Sequence, residues 1–261
     1  MLLLTMLWLV PATVSAQKSA TTTATAKLLH SPLGKAQLVY DQSNQTLTVT
    51  IRQVGLTPNS THPAHIHATG TCQNPVDTIK YPLNNVVANS TGMGTSITTI
   101  ANVKTGIPAT GWFINVHNGP NLVPAAQYAP ISCGMISNAS GATAVTTVLG
   151  PTTSPNESAM GTGSLSLTNG TLTVTLKISG LAPNSMHAAH IHAGNCLNTG
   201  KVLYDLSPLQ ADSNGSVTKT MTFSNVPAIP STGWDINVHY TNNIATQTGY
   251  NPILCGNIVP A

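Results

Sequence analysis

Nine histidines stand in this chain, and eight of them fall into one pattern that occurs twice. The first copy reads HPAHIH, with His62, His65 and His67, then Cys72, then INVH ending at His117, then SCGMI with Cys133. The second reads HAAHIH, with His187, His190 and His192, then Cys196, INVH ending at His239, and LCGNI with Cys255. Neutral imidazoles are metal ligands, so a recurring His-x-His with a third histidine after a similar interval predicts a three-histidine metal site in each copy. The expected ligands are His65, His67 and His117 in the first copy and His190, His192 and His239 in the second. Three imidazoles without a carboxylate suit copper or zinc, and copper(II) leads the affinity order for nitrogen donors. One copper ion per repeat is therefore the expected cofactor. The carboxylates are too few and too scattered for a calcium site or a Ser-His-Asp hydrolase.

Such sites need strands to hold them. In His65-Ile66-His67 a period of two sends both imidazoles to one face and Ile66 to the other, and His190-Ile191-His192 repeats this. In Trp112-Phe113-Ile114-Asn115-Val116-His117 the same alternation puts Trp112, Ile114 and Val116 toward the core. Phe113, Asn115 and His117 then share the outer face, so the three imidazoles converge outside the core if the two strands are neighbours. His62 and His187 fall off that face and are expected to bond to backbone. Further alternating segments predict strands at Gly34 to Tyr40, Thr46 to Arg52, Ser96 to Ala101, Gly161 to Leu167, Thr171 to Ile178 and Ser216 to Phe223. No long helical periodicity is present. The expected fold class is all-β, two tandem Greek-key sandwiches or flattened barrels.

The matching segments lie about 122 to 125 residues apart, the length of one small domain. The first unit is placed at 26–137, a Ser-, Thr-, Gly- and Pro-rich linker at 138–155, and the second unit at 156–261. The two repeats are free to pack on each other. Only 6% of residues are charged, with a net charge of +3 and no basic stripe, which argues against nucleic acid as a partner. Residues 1–16 read as a signal peptide, an apolar run too short to span a bilayer that closes on Val14-Ser15-Ala16. No other stretch is long and apolar enough for a membrane span, and a secreted, periplasmic or cell-surface location is expected. In an oxidising compartment four cysteines, two per repeat, favour disulfides. Pairing Cys72 with Cys133 and Cys196 with Cys255 treats both copies alike without crossing between them. Each bond would close a loop of about 60 residues, worth roughly 4 kcal/mol in a chain-entropy account.

HPAHIH and HAAHIH, INVH, and SCGMI and LCGNI together resemble the copper/zinc superoxide dismutase family, in order and over essentially all of both repeats. The resemblance implies a Greek-key barrel with His65, His67, His117, His190, His192 and His239 as copper ligands. It also implies superoxide, or another small redox species, as substrate. Three departures are plain. No histidine follows Cys72 or Cys196 to bridge to zinc, so zinc binding is not expected. Pro130 and Pro252 stand where the family has an anion-guiding arginine, and Arg52, the only arginine of the chain, lies in an early strand. Any superoxide turnover should then be weak and draw on a lysine such as Lys80 or Lys201 for attraction. HAAHIH with INVH also resembles a second family, the chordin-type CHRD domains, which implies a non-enzymatic extracellular binding or structural module; it ranks second because those domains usually end in an acidic GGEIRG segment where this chain has CGxI with its paired cysteine.

Overall fold

A computed structural model describes residues 21–74 and 79–261; the segment read as a signal peptide lies outside the described residues. The chain is all-β and forms two curled eight-stranded sheets, each a flattened barrel around its own apolar core. Its first half runs β1 (Thr21–His30), β2 (Leu33–Asp41), β3 (Thr46–Val54), β4 (Thr61–His67), β5 (Ile79–Ala88), β6 (Gly94–Ile100) and β7 (Trp112–His117). A one-turn helix α1 (Ala125–Tyr128), β8 (Pro130–Ile136) and β9 (Ala144–Leu149) complete it. The second half runs β10 (Met160–Thr168), β11 (Thr171–Ser179), β12 (Met186–His187), β13 (Ala189–Asn195), β14 (Asn198–Asp205), β15 (Leu209–Gln210), β16 (Val217–Phe223) and β17 (Trp234–His239). It closes with α2 (Gln247–Tyr250) and β18 (Pro252–Pro260). The alternating segments picked out above are strands β2, β3, β6, β10, β11 and β16. Their apolar residues, such as Leu47, Val49 and Ile51, point into the cores, while the intervening threonines face outward.

The two sheets share one circular strand order. In the first it is β8-β7-β4-β5-β6-β3-β2-β9, with a bridge between Cys133 and Gly150 joining β9 back toward β8. In the second it is β14-β13-β17-β18-β1-β10-β11-β16. The slot filled by β9 between β2 and β8 is thus filled by β1 between β10 and β18. Only Ser31 and Pro32 separate β1 from β2, yet β1 pairs in the second sheet and β2 in the first. Likewise β9 pairs with β2, while β10, which follows it, belongs to the other sheet. The two repeats have exchanged their leading strands. Residues 26–30, expected in the first unit, lie in the second sheet, and 138–155, expected as a linker, carries β9.

Two glycines make room for the exchange. A Cβ on Gly256, in the LCGNI segment, would meet the Lys27 carbonyl of β1 at 2.5 Å, and one on Gly134, in SCGMI, would press into the Val148 carbonyl of β9. Each visiting strand can therefore lie tight against the Cys-Gly strand of its host. Ala24, Ala26 and Leu28 of β1 are buried in the second core, and Leu149 of β9 in the first.

The seam between repeats is polar and specific. The Gln247 side-chain amide bonds both backbone groups of Thr61, at 3.2 and 2.9 Å. Asn251 accepts from the Thr57 hydroxyl (2.5 Å) and donates to the Asn118 carbonyl (2.6 Å). His30, the one histidine outside the repeated pattern, ends β1 and sends its Nε2 to the Ile131 carbonyl of β8 (3.0 Å).

Candidate metal centres

Strands β4 and β7 are antiparallel neighbours with Ile66 opposite Ile114 and His67 opposite Phe113. Both isoleucines enter the core, which turns His65, His67 and His117 to the other face. There the side chains meet, with one potential ligand atom from each within 4.8 Å of the others. His65 Nδ1 lies 3.2 Å from His117 Nε2. A carbonyl can only accept, so the bond from His117 Nδ1 to the Tyr128 carbonyl (2.5 Å) fixes the tautomer and leaves Nε2 as a lone pair facing the site. His62 stands behind this arrangement. Its Nδ1 donates to the backbone carbonyl of His117 (2.8 Å), and its Nε2 lies 2.7 Å from the Ser60 hydroxyl oxygen. Burial pushes the His62 imidazole down to about 4, so it is neutral at ordinary pH.

The second triad is built alike. His190 Nδ1 lies 3.0 Å from His239 Nε2, and His239 Nδ1 donates to the Tyr250 carbonyl (2.6 Å) at the end of α2. His187 Nδ1 donates to the His239 carbonyl (2.9 Å). His192 Nδ1 donates to the Gly200 carbonyl (2.8 Å), which leaves Nε2 buried and without a hydrogen-bond partner among the described residues. Burial lowers the basicity of all three imidazoles, and that of His239 falls to about 4. The imidazoles are therefore neutral, and the one proton between His190 Nδ1 and His239 Nε2 has to move to the far nitrogen of His190 before both atoms can hold a metal ion.

The triads are not on an open sheet face, as strand alternation alone would place them. Every residue of β7 is buried, on both sides. Phe113 stacks on His67, with ring centroids 4.8 Å apart and planes at 8°, and packs against the Cys72–Cys133 disulfide; the Tyr128 ring covers His117 at 4.9 Å. The segment between β7 and β8 and the disulfide form an outer wall that local periodicity cannot reveal. In the second repeat the Cys196–Cys255 disulfide takes the same place.

One wall residue differs, and sequence reasoning passed over it. WFINVH in the first repeat is WDINVH in the second, so Asp235 stands where Phe113 does, opposite His192. The carboxylate is fully buried. Its Oδ2 accepts from the Thr199 hydroxyl and the Asn237 amide (3.3 Å each), while Oδ1 has no partner among the described residues. Burial pushes this carboxyl up to about 7. Cys255 Sγ is 3.6 Å away, a packing contact because a disulfide sulfur carries no proton to donate. Cys196, Asp235 and Cys255 cluster as a metal-binding set would, but both sulfurs are committed to the disulfide.

The donor set fits a metal ion that takes nitrogen ligands. Two nitrogens each about 2.0–2.1 Å from one ion stand roughly 3.3–3.6 Å apart, close to the 3.0 and 3.2 Å pairs seen without an ion to draw them together. Of the two lysines expected to attract an anion, Lys80 packs on aromatic rings, and the positions without an arginine face the third ligands. Pro130 and Pro252 lie directly opposite His117 and His239, and Lys80 extends over the rings of Tyr81 and Trp112, 5.2 and 5.7 Å from their centroids. No helix among the described residues is long and apolar enough to cross a membrane.

Comparison with known families places residues 137–246 as a match to the CHRD domain. The matched stretch holds His187, the whole second triad and Cys196, and it begins before β9, so the sequence unit takes in a strand that the fold gives to the other repeat. No curated protein matches the chain.

Proposed function

We propose that this chain is an extracellular CHRD-type module that binds copper at two three-histidine centres, one in each repeat. The observation that carries the reading is His192, whose Nδ1 is held by a carbonyl so that its Nε2, buried and without a partner among the described residues, is left as the free nitrogen of a ring grouped with His190 and His239. Leaving such an atom dry and unbonded costs about 1–3 kcal/mol unless a ligand takes it. Two disulfides and a low charge content suit life outside the cytoplasm. When bound, copper would supply a redox-active centre, and three nitrogens leave it a free position for water or a small anion. Superoxide turnover is the second reading, supported by the resemblance of the histidine and cysteine segments to the dismutases. The prolines opposite His117 and His239 weigh against fast turnover, since they carry no charge to draw an anion in.

Copper titration of the purified chain tests the proposal. About two equivalents are expected, falling to one in His67→Ala or His192→Ala and to none in the double variant. A chain that binds no more copper than the double variant would leave a metal-free structural module as the better account. Superoxide consumption by the loaded protein then separates a copper-binding module from an enzyme.

His62 and His187 give a second expectation. Each holds the backbone of the third ligand, so His62→Ala should weaken copper at the first centre by about 10- to 100-fold while stoichiometry stays at two. His187→Ala should do the same at the second. Competition with a chelator of known affinity reads the change, and an unchanged affinity would make these histidines simple packing.

A further inference from the structure

The two centres share their ligands and differ in what faces them. On the neighbouring strands His65 is paired with Pro82 and His67 with Phe113, two uncharged side chains. In the second repeat His190 is paired with Asp205 and His192 with Asp235. Two positions that are neutral in one repeat are thus both carboxylates in the other, and both lie beside a triad histidine. His190 Nε2 is 3.8 Å from Asp205 Oδ1, on the side of the ring turned away from His239. Residues directly opposite in an antiparallel pair have their Cβ atoms about 4.5–5.5 Å apart, which brings the Asp235 carboxylate within several ångströms of the His192 ring.

Asp235 has no evident structural need for its charge. Phenylalanine fills the same place in the first repeat, stacked on His67 and packed on the disulfide. Among the described residues no lysine or arginine forms an ion pair with Asp235, and Oδ1 is unpartnered. A buried carboxylate without a counter-charge is costly, and an ion held by the adjacent triad would supply one. Burial raises this carboxyl, the Thr199 and Asn237 hydrogen bonds work the other way, and a cation in the adjacent triad would hold it ionised. Thr199, Asn237 and His239 also line a cavity of about 30 Å³ closed on its other side by Thr57 and Thr91 of the first repeat, so this centre lies at the seam.

We propose that this difference specialises the centres: the triad flanked by Asp205 and Asp235 favours copper(II), and the triad walled by Pro82 and Phe113 favours copper(I). The inference rests on copper binding as proposed above. Its physical basis is that a fixed negative charge attracts a divalent ion more strongly than a monovalent one. At about 6 Å and an effective dielectric near 20 the extra unit of charge favours copper(II) by at least tenfold. An aromatic wall gives no such preference and resists the higher charge.

Single-centre chains test it. His192→Ala retains the first triad and His67→Ala the second, and each is titrated with copper(II) against an aminocarboxylate chelator. Each is then titrated with copper(I) under ascorbate, which spares disulfides, against a chelator selective for that state. The ratio of copper(II) to copper(I) affinity should be at least tenfold higher at the second centre. Asp235→Asn in the His67→Ala chain, isosteric and uncharged, should weaken copper(I) by about tenfold and copper(II) by about the square of that factor, so that the ratio of copper(II) to copper(I) affinity falls at least tenfold. Equal ratios at the two centres, or an equal fold-loss of both oxidation states in Asp235→Asn, would overturn the proposal. Absence of copper from both single-centre chains would instead remove the copper reading itself and this inference with it.

Discussion

Deletion of Thr21–His30 should open the second repeat and leave the first intact, although the deleted segment adjoins the first repeat in sequence. Strand β1 lies between β10 and β18 and joins them; without it the second sheet has two new unpaired edges and its core loses Ala24, Ala26 and Leu28. Burying one leucine is commonly worth 2–5 kcal/mol when truncated to alanine, and a whole central strand carries more. Against a typical stability of about 5–15 kcal/mol, a loss above about 5 kcal/mol is enough to abolish the fold of that half. Hydrogen exchange resolves the outcome. Amides of β10, β11, β17 and β18 should lose protection while those of β2, β3, β4 and β7 keep it, and a peptide spanning residues 21–32 added in trans should restore the former. Loss of protection in β2 and β8 instead would return β1 to its own repeat and reject the exchange.

Point variants sharpen this result. Leu28→Ala should cost about 2–5 kcal/mol and act on the second repeat. Gly256→Ala sets a methyl group against the Lys27 carbonyl and should loosen β1, whereas Gly134→Ala meets Val148 and should loosen β9. The exposed edges left by either would favour self-association. Because each sheet is completed by a strand from the other half, neither repeat is a self-sufficient unit, and separating the halves by a cut between β8 and β9 would leave both incomplete.

The ligand pattern was legible because alternation is local. His65 and His67 flank Ile66, and His117 follows Val116 by one residue, so the core residues fix which way the imidazoles turn. The destination of β1 and β9 was not legible. TTTATAKLLH and AVTTVL read as half-buried strands in either sheet, and the register of a strand with distant partners leaves no mark in its own sequence. The glycines of SCGMI and LCGNI were visible as motif letters, but their role depends on which backbone lies across from them. Asp235 shows as one changed letter between WFINVH and WDINVH. Carboxylates are ordinarily solvated, so burial of this one follows only from the disulfide and the segment that roof it. Glu157 hid in the same way, in the polar residues that open the second unit just after the linker.

Glu157 makes stability depend on pH in a direction opposite to the histidines. It sits just ahead of β10, where the chain passes between sheets, and is nearly fully buried. His30 Nδ1 is its nearest basic atom, 3.8 Å from Oε2, too far for a hydrogen bond. Burial pushes the carboxyl from 4.5 up to about 8, and pushes His30 down to about 4, so both are neutral between those limits. A raised pKa means that the folded chain keeps a proton the unfolded chain gives up. The contribution of Glu157 is fully present below about 4.5 and is lost as pH rises toward 8, a change on the order of 3–5 kcal/mol. His30 and His62 work the other way, with their contribution present above 6.5 and lost as pH falls toward 4. Chelator-treated protein should therefore be most stable between these limbs and weaken toward pH 8. Glu157→Gln, which cannot ionise, should flatten the alkaline limb, gaining about 2–4 kcal/mol over the parent at pH 8 and nothing at pH 4.5. Urea unfolding at the two pH values measures this, and parallel profiles for parent and variant would show that the carboxyl ionises freely and that the crossing between sheets is open to water.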